Sequence, residues 1–195
     1  MNLHIKRLLL ALCLLPLSGV ALAHPGHGAV TGFATGFAHP FTGLDHITAM
    51  LAVGMWAGMT VGRRAWIPVA AFMGFMMVGA VFGIYGIPFP GIEAGIASSV
   101  LVMGLLLVSL VRLPVVASVA LVGGFALFHG NAHGIEIPSA AAPLLYSVGF
   151  LLATGALHLG GIALGRWAQT SRAEWALRGT GLMTTAFGAW LLLGA

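Results

Sequence analysis

Charge is what this sequence has least of. Only 6% of its 195 residues are Asp, Glu, Lys or Arg, while 59% are hydrophobic. A soluble domain carries about a quarter charged residues to keep its surface wet, so a water-facing globular surface is excluded. The mean hydropathy of +1.05 agrees. Cysteine is equally scarce: Cys13 stands alone, which excludes a disulfide framework and a thiolate metal cluster. A phosphate-cradling loop is missing too, which argues against ATP hydrolysis by this chain. The pI of about 10.3 comes from eight cations against four acids. They form no basic stripe, so nucleic acid is not an expected partner.

Glycine and long apolar runs are plentiful. The 29 glycines suit helices that approach closely inside a membrane. Residues 1–23 have the three parts of a secretory signal: basic Lys6 and Arg7, an apolar run from Leu8 to Leu15, and the small-residue site Ala21-Leu22-Ala23. An uncleaved anchor helix is the alternative. Cleavage after Ala23 leaves a chain that starts at His24 on the periplasmic side, with six arginines and four acids.

The rest divides into six apolar stretches, each near the ~20 residues that a spanning helix needs. They are 44–61, 66–84, 92–111, 115–128 running on toward 135, 144–164 and 175–193. The expected fold is all-α: one polytopic membrane bundle of six helices over residues 24–195, in the bacterial inner membrane. Arg63, Arg64, Arg112, Arg166 and Arg172 fall in the first, third and fifth connections, with Arg178 just inside the sixth helix. The other connections hold no Lys or Arg. By the positive-inside rule both mature ends are periplasmic.

Against this background the ionisable residues stand out, because each costs at least a few kcal/mol at depth and normally faces a bundle interior or a hydrated path. Asp45, Glu93 and Glu136 fall at the periplasmic ends of the first, third and fourth helices. His24, His27, His39, His46 and His133 lie on the same side, His129 about one turn deeper, and His158 near the middle of the fifth helix. In the first cluster, His39 to His46, Pro40 and Gly43 break the chain so that His39 can fold back toward Asp45 and His46. Asp45 also suits a purely structural role at the helix start. In the second cluster, His129, His133 and Glu136 share one helix face at i, i+4 and i+7. Imidazole with carboxylate, and no thiolate, suits a borderline divalent ion. The competing reading is a hydrogen-bonded pair joining helices. His158, alone in an apolar helix, fits either an interhelical hydrogen bond or a stop for a passing ion. His24 and His27 would form a terminal chelate with the freed amine, or a featureless end. The methionines Met50, Met55, Met59, Met73, Met76 and Met77 fit packing better than a copper path.

Two motifs carry a family resemblance. One is His39-Pro40-x-x-Gly43-x-Asp45-His46-x-x-Ala49-Met50-x-x-Val53-Gly54-x-Trp56-Ala57; the other is Phe128-His129-Gly130-x-Ala132-His133-Gly134-x-Glu136. Together with the leader, His24-Pro25-Gly26-His27 and Leu157-His158, the chain resembles the HupE/UreJ family of nickel/cobalt permeases. Ile47-Thr48 departs from the two bulky apolar residues more usual there. The resemblance implies uptake of nickel or cobalt as transported substrate, with no permanently bound cofactor, to supply enzymes such as hydrogenase or urease.

The expected partners are thus a divalent metal ion and the lipid bilayer, with homo-oligomerisation left open. The expected metal residues are His39, Asp45, His46, His129, His133, Glu136 and His158, with weaker candidates in His24, His27 and Glu93. An enzyme is not expected. An intramembrane hydrolase is the rival, with His129, His133 and Asp45 on zinc and Glu136 as base, but no His-Glu-x-x-His or Gly-x-Ser-x-Gly pattern is present. An accessory protein that binds metal without moving it is a third reading, though the short connections leave it little surface for a partner.

Overall fold

A computed structural model describes residues 28–60, 64–137 and 142–194. The expected leader, Cys13, His24, His27 and Arg63 lie outside them. In chain order the elements are α1 (Gly28–Ala38), a 3-10 turn (His39–Phe41), α2 (Leu44–Thr60), α3 (Trp66–Ile84), α4 (Ile92–Ser109), α5 (Val115–Glu136), α6 (Pro143–Thr170) and α7 (Glu174–Gly194). No strand occurs among the described residues. Four helices, α3 to α6, are long and apolar enough to cross a membrane. The other two expected spans are not among them: α2, with 17 residues, is shorter than any of the four, and α7 opens on Glu174 and carries Arg178.

The expected breaks fall close to the observed ones, with two differences. Helix α6 runs to Thr170 rather than 164, because Arg166, Trp167, Ala168 and Gln169 contain no breaker and Gln169 gains a hydrogen bond to the carbonyl of Met59. Helix α1 was not expected at all. Its 11 residues are too few to span, and hydropathy alone hides it behind the leader. Its trace in the sequence is the glycine spacing Gly28, Gly32, Gly36. A Cβ at Gly36 would strike the backbone of Tyr146, and one at Gly149 the carbonyl of Phe33, so α1 lies directly on the start of α6.

Glycine decides the other pairings as well. Among lipid the hydrophobic effect does not press helices together, so close backbone approach and dispersion must do so. Helix α3 packs on α5, α4 on α7 and α2 on α6. In the first pair Gly79 and Gly83 of α3 meet α5, while Gly130 and Gly134 of α5 meet the carbonyls of Met76 and Ala80. In the third, Gly54 and Gly58 face His158 and Ile162, and Gly161 and Gly165 face Leu51 and Met55. This seating positions the site. His129 and His133 each stand one residue before a seated glycine, about 100° around the helix from it, and so lie to one side of the line of closest approach to α3.

Met50, Met55, Met59 and Met76 fill the apolar core around Trp56, Phe72 and Leu107, while Met77 is exposed, so the methionines form no continuous lining. The two ends of the bundle are tied differently. At the arginine-bearing end Trp56 Nε1 donates to the Val111 carbonyl at 2.8 Å, and Arg178 Nη1 to that of Val108 at 3.1 Å. At the other end Asn131, fully buried, accepts from the Phe89 amide at 2.7 Å and donates to the Ile87 carbonyl at 2.9 Å. It thereby holds the α3–α4 loop, which turns at Gly86 and Gly91 with φ of 71° and 70°. Such left-handed positions favour glycine.

Candidate metal centre

Pro40 lies inside the 3-10 turn that follows α1 and fixes its backbone φ there. Thr42 closes the turn, both its amide and its hydroxyl donating to the His39 carbonyl. His39 is thereby held across the mouth of the bundle and meets α5. Its Nε2 lies 3.1 Å from His133 Nδ1 and 3.3 Å from Glu136 Oε2. His133 Nδ1 and the same carboxylate oxygen are 3.7 Å apart. The ligand atoms of His39, His133 and Glu136 all fall within 4.8 Å of one another, near enough to close on one ion. His133 is 3% exposed, whereas Glu136 stands open at the surface. The set thus grades from an exposed carboxylate to a buried imidazole.

The expectation that His39 folds back onto Asp45 and His46 is replaced by this contact with α5. Asp45 instead pairs with its own neighbour, Oδ1 lying 3.0 Å from His46 Nδ1. Gly43 makes room for that pair, since a Cβ there would crowd both atoms. The two motifs still converge: the His46 ring centroid is 4.3 Å from that of His133 and 5.3 Å from that of His129. Asp45 also faces a second space, a cavity of about 330 Å³ that it lines with Glu93 and Trp190. Glu93 therefore stands apart from the three-ligand cluster.

Deeper in, the expected face of His129, His133 and Glu136 divides. His133 turns to the mouth, while His129, fully buried, meets Ser99 on α4 at 2.8 Å. His158, also fully buried, uses Nδ1 on the Thr154 carbonyl at 2.8 Å. The Phe72 ring touches both, with centroids 5.7 Å from His129 and 4.9 Å from His158. Four buried imidazole nitrogens have no protein hydrogen-bond partner: His46 Nε2, His133 Nε2, His129 Nδ1 and His158 Nε2. Buried polar atoms are normally satisfied; Tyr146 Oη and Thr154 Oγ1 share this unpartnered state, and an imidazole nitrogen in it is a metal donor when it carries the lone pair. Beside His133 a pocket of about 40 Å³, walled by Tyr146, Phe150 and Met76, has room for an ion with little water, since one water needs roughly 10–15 Å³.

Sequence reasoning missed Ser99, Asn131, Phe72, Tyr146 and Phe150. Asn131 was the most accessible of them, an amide in an apolar helix between two flagged histidines. The aromatic residues carry no signal that separates them from ordinary core.

Comparison with known proteins follows the same lines. The family model described as HupE / UreJ protein matches residues 11–191. The chain is 42% identical over 183 residues to Protein HupE of Rhizobium leguminosarum bv. viciae, covering 94% of this chain and 95% of that one. No solved structure matches. Matched by the family model over most of its length and 42% identical to that relative over 183 residues, this chain belongs to the HupE/UreJ family.

Proposed function

We propose that this protein carries a divalent transition metal ion, nickel or cobalt, across the bacterial inner membrane into the cytoplasm. The observation that supports this best is the descent of donors from exposed Glu136, through His39 and His133, to the bare nitrogens of His46, His129 and His158. Glu136 and Asp45 attract and hold the hydrated ion. The imidazoles then replace its water step by step, as a path with several moderate sites requires. Imidazole and carboxylate suit nickel and cobalt better than magnesium or calcium. Membership of the HupE/UreJ family supports a transport or accessory role over an enzymatic one, so an enzymatic role is not proposed. The ion would supply nickel enzymes such as hydrogenase or urease.

In this reading α2 and α7 complete six spans with α3 to α6, a leader is removed after Ala23, and both mature ends are periplasmic. The arginine-bearing end then faces the cytoplasm, as the positive-inside rule requires. The test is ion uptake by proteoliposomes holding the full mature chain, offered nickel, cobalt, zinc or magnesium with and without a proton gradient. Uptake of nickel or cobalt above empty vesicles is expected. No uptake of either by correctly inserted protein refutes the reading.

A further inference from the structure

Two buried histidines are each held in one tautomer by neighbours outside the metal-binding motifs. Ser99 Oγ lies 2.6 Å from the carbonyl oxygen of Ile96, and two oxygens that close need a proton between them. A carbonyl has none to give, so the proton is the serine's only one. Ser99 Oγ is also 2.8 Å from His129 Nε2. With its proton committed to Ile96, the oxygen can only accept there. Nε2 of His129 therefore bears the ring proton, and Nδ1 bears a bare lone pair. That Nδ1 is buried without a protein partner, and Ser99 itself is only 2% exposed.

His158 repeats the arrangement from another helix. The Thr154 carbonyl, 2.8 Å from Nδ1, can only accept, so Nδ1 bears the proton and the buried Nε2 is bare. A metal-accepting histidine needs this state: one nitrogen fixed by an outer hydrogen bond, the other free.

We propose that Ser99 is a positioning residue: by holding His129 as the Nε2–H tautomer it makes Nδ1 the metal-accepting atom of an inner site, beneath His39, His133 and Glu136. The inference rests on the reading above, that this chain carries a borderline divalent cation. Among the described residues the inner site holds no carboxylate in contact with His129, so neutral imidazole must bind the ion. Such a site accepts a cation from the acidic mouth without trapping it.

The test uses the full chain in nanodiscs with isotope-labelled histidine rings, and cadmium as a spectroscopically visible divalent probe. Without metal, the ring-nitrogen spectrum should show His129 as Nε2–H. Ser99→Ala should lose that single tautomer, and Ser99→Thr, which keeps the hydroxyl, should restore it. With cadmium, coupling to Nδ1 of His129 is expected, weakened about 10–100-fold in affinity by Ser99→Ala while binding at His39 and His133 stays unchanged. Cadmium coupled to Nε2 of His129 overturns the proposal. An unaltered tautomer and affinity in Ser99→Ala overturns it equally. Cadmium absent from His129, with or without binding at His39 and His133, sinks this inference alone; the transport reading falls separately, on nickel and cobalt uptake.

Discussion

His39 Nε2 and His133 Nδ1 stand 3.1 Å apart across 94 positions of sequence, with the Glu136 carboxylate within reach of both. Two imidazoles and a carboxylate from a turn and a helix form a mouth that neither element could build alone. His39→Ala, His133→Ala and Glu136→Ala should each lower nickel uptake severely, with the protein still present in the membrane. Wild-type uptake by His39→Ala would remove that residue from the path.

The same geometry predicts coupling. His46 and His133 have ring centroids 4.3 Å apart, so Asp45→Ala, which frees His46, should interact with His133→Ala. The double variant should cost less than the sum of the singles, with a coupling of about 0.5–3 kcal/mol in binding. Titration of nickel into all four proteins measures it. Strict additivity would mean that the two motifs act independently.

His158 lies beyond the mouth, against Phe72 and fully buried. His158→Ala should leave nickel binding at His39, His133 and Glu136 nearly intact while reducing transport. Binding measured in detergent and uptake measured in vesicles must therefore separate. Equal loss of both would place His158 in the binding shell of the mouth.

Adjacent glycines on α6 offer a test of the packing. A Cβ at Gly161 would strike the Leu51 carbonyl and the Gly54 Cα, whereas one at Gly160 meets nothing. Gly161→Ala should destabilise by about 1–3 kcal/mol through overpacking. Gly160→Ala should stabilise by roughly 0.5–1 kcal/mol through the lower entropy cost of alanine in a helix. Thermal unfolding in one detergent reads both. Equal melting of the two variants would contradict the close approach of α2 and α6.

Asn131 makes a fifth prediction. Asn131→Leu leaves the Phe89 amide and the Ile87 carbonyl without their side-chain partner, at a cost of about 1–3 kcal/mol. Hydrogen exchange at Phe89 should quicken while exchange in the middle of α6 stays slow. Unchanged protection at Phe89 would show that Asn131 does not hold the loop.

The membrane class, the approximate breaks between helices and the donor types were all legible in the sequence, because each is a local property. Hydropathy reports on a stretch by itself, and an imidazole or carboxylate in an apolar run is costly wherever its partner lies. Which donors meet was not legible. His39 was expected beside Asp45 and found beside Glu136, since its direction depends on a turn closed by Thr42 and on where α5 sits. Helix α1 was missed because an 11-residue segment earns its place by packing on α6, not by its own hydropathy. The tautomer of His129 depends on Ser99, 30 positions away on α4. Residue types and spans are set along the chain, whereas partners are set by glycine faces that bring backbones together across it, and only the tertiary structure decides which faces meet.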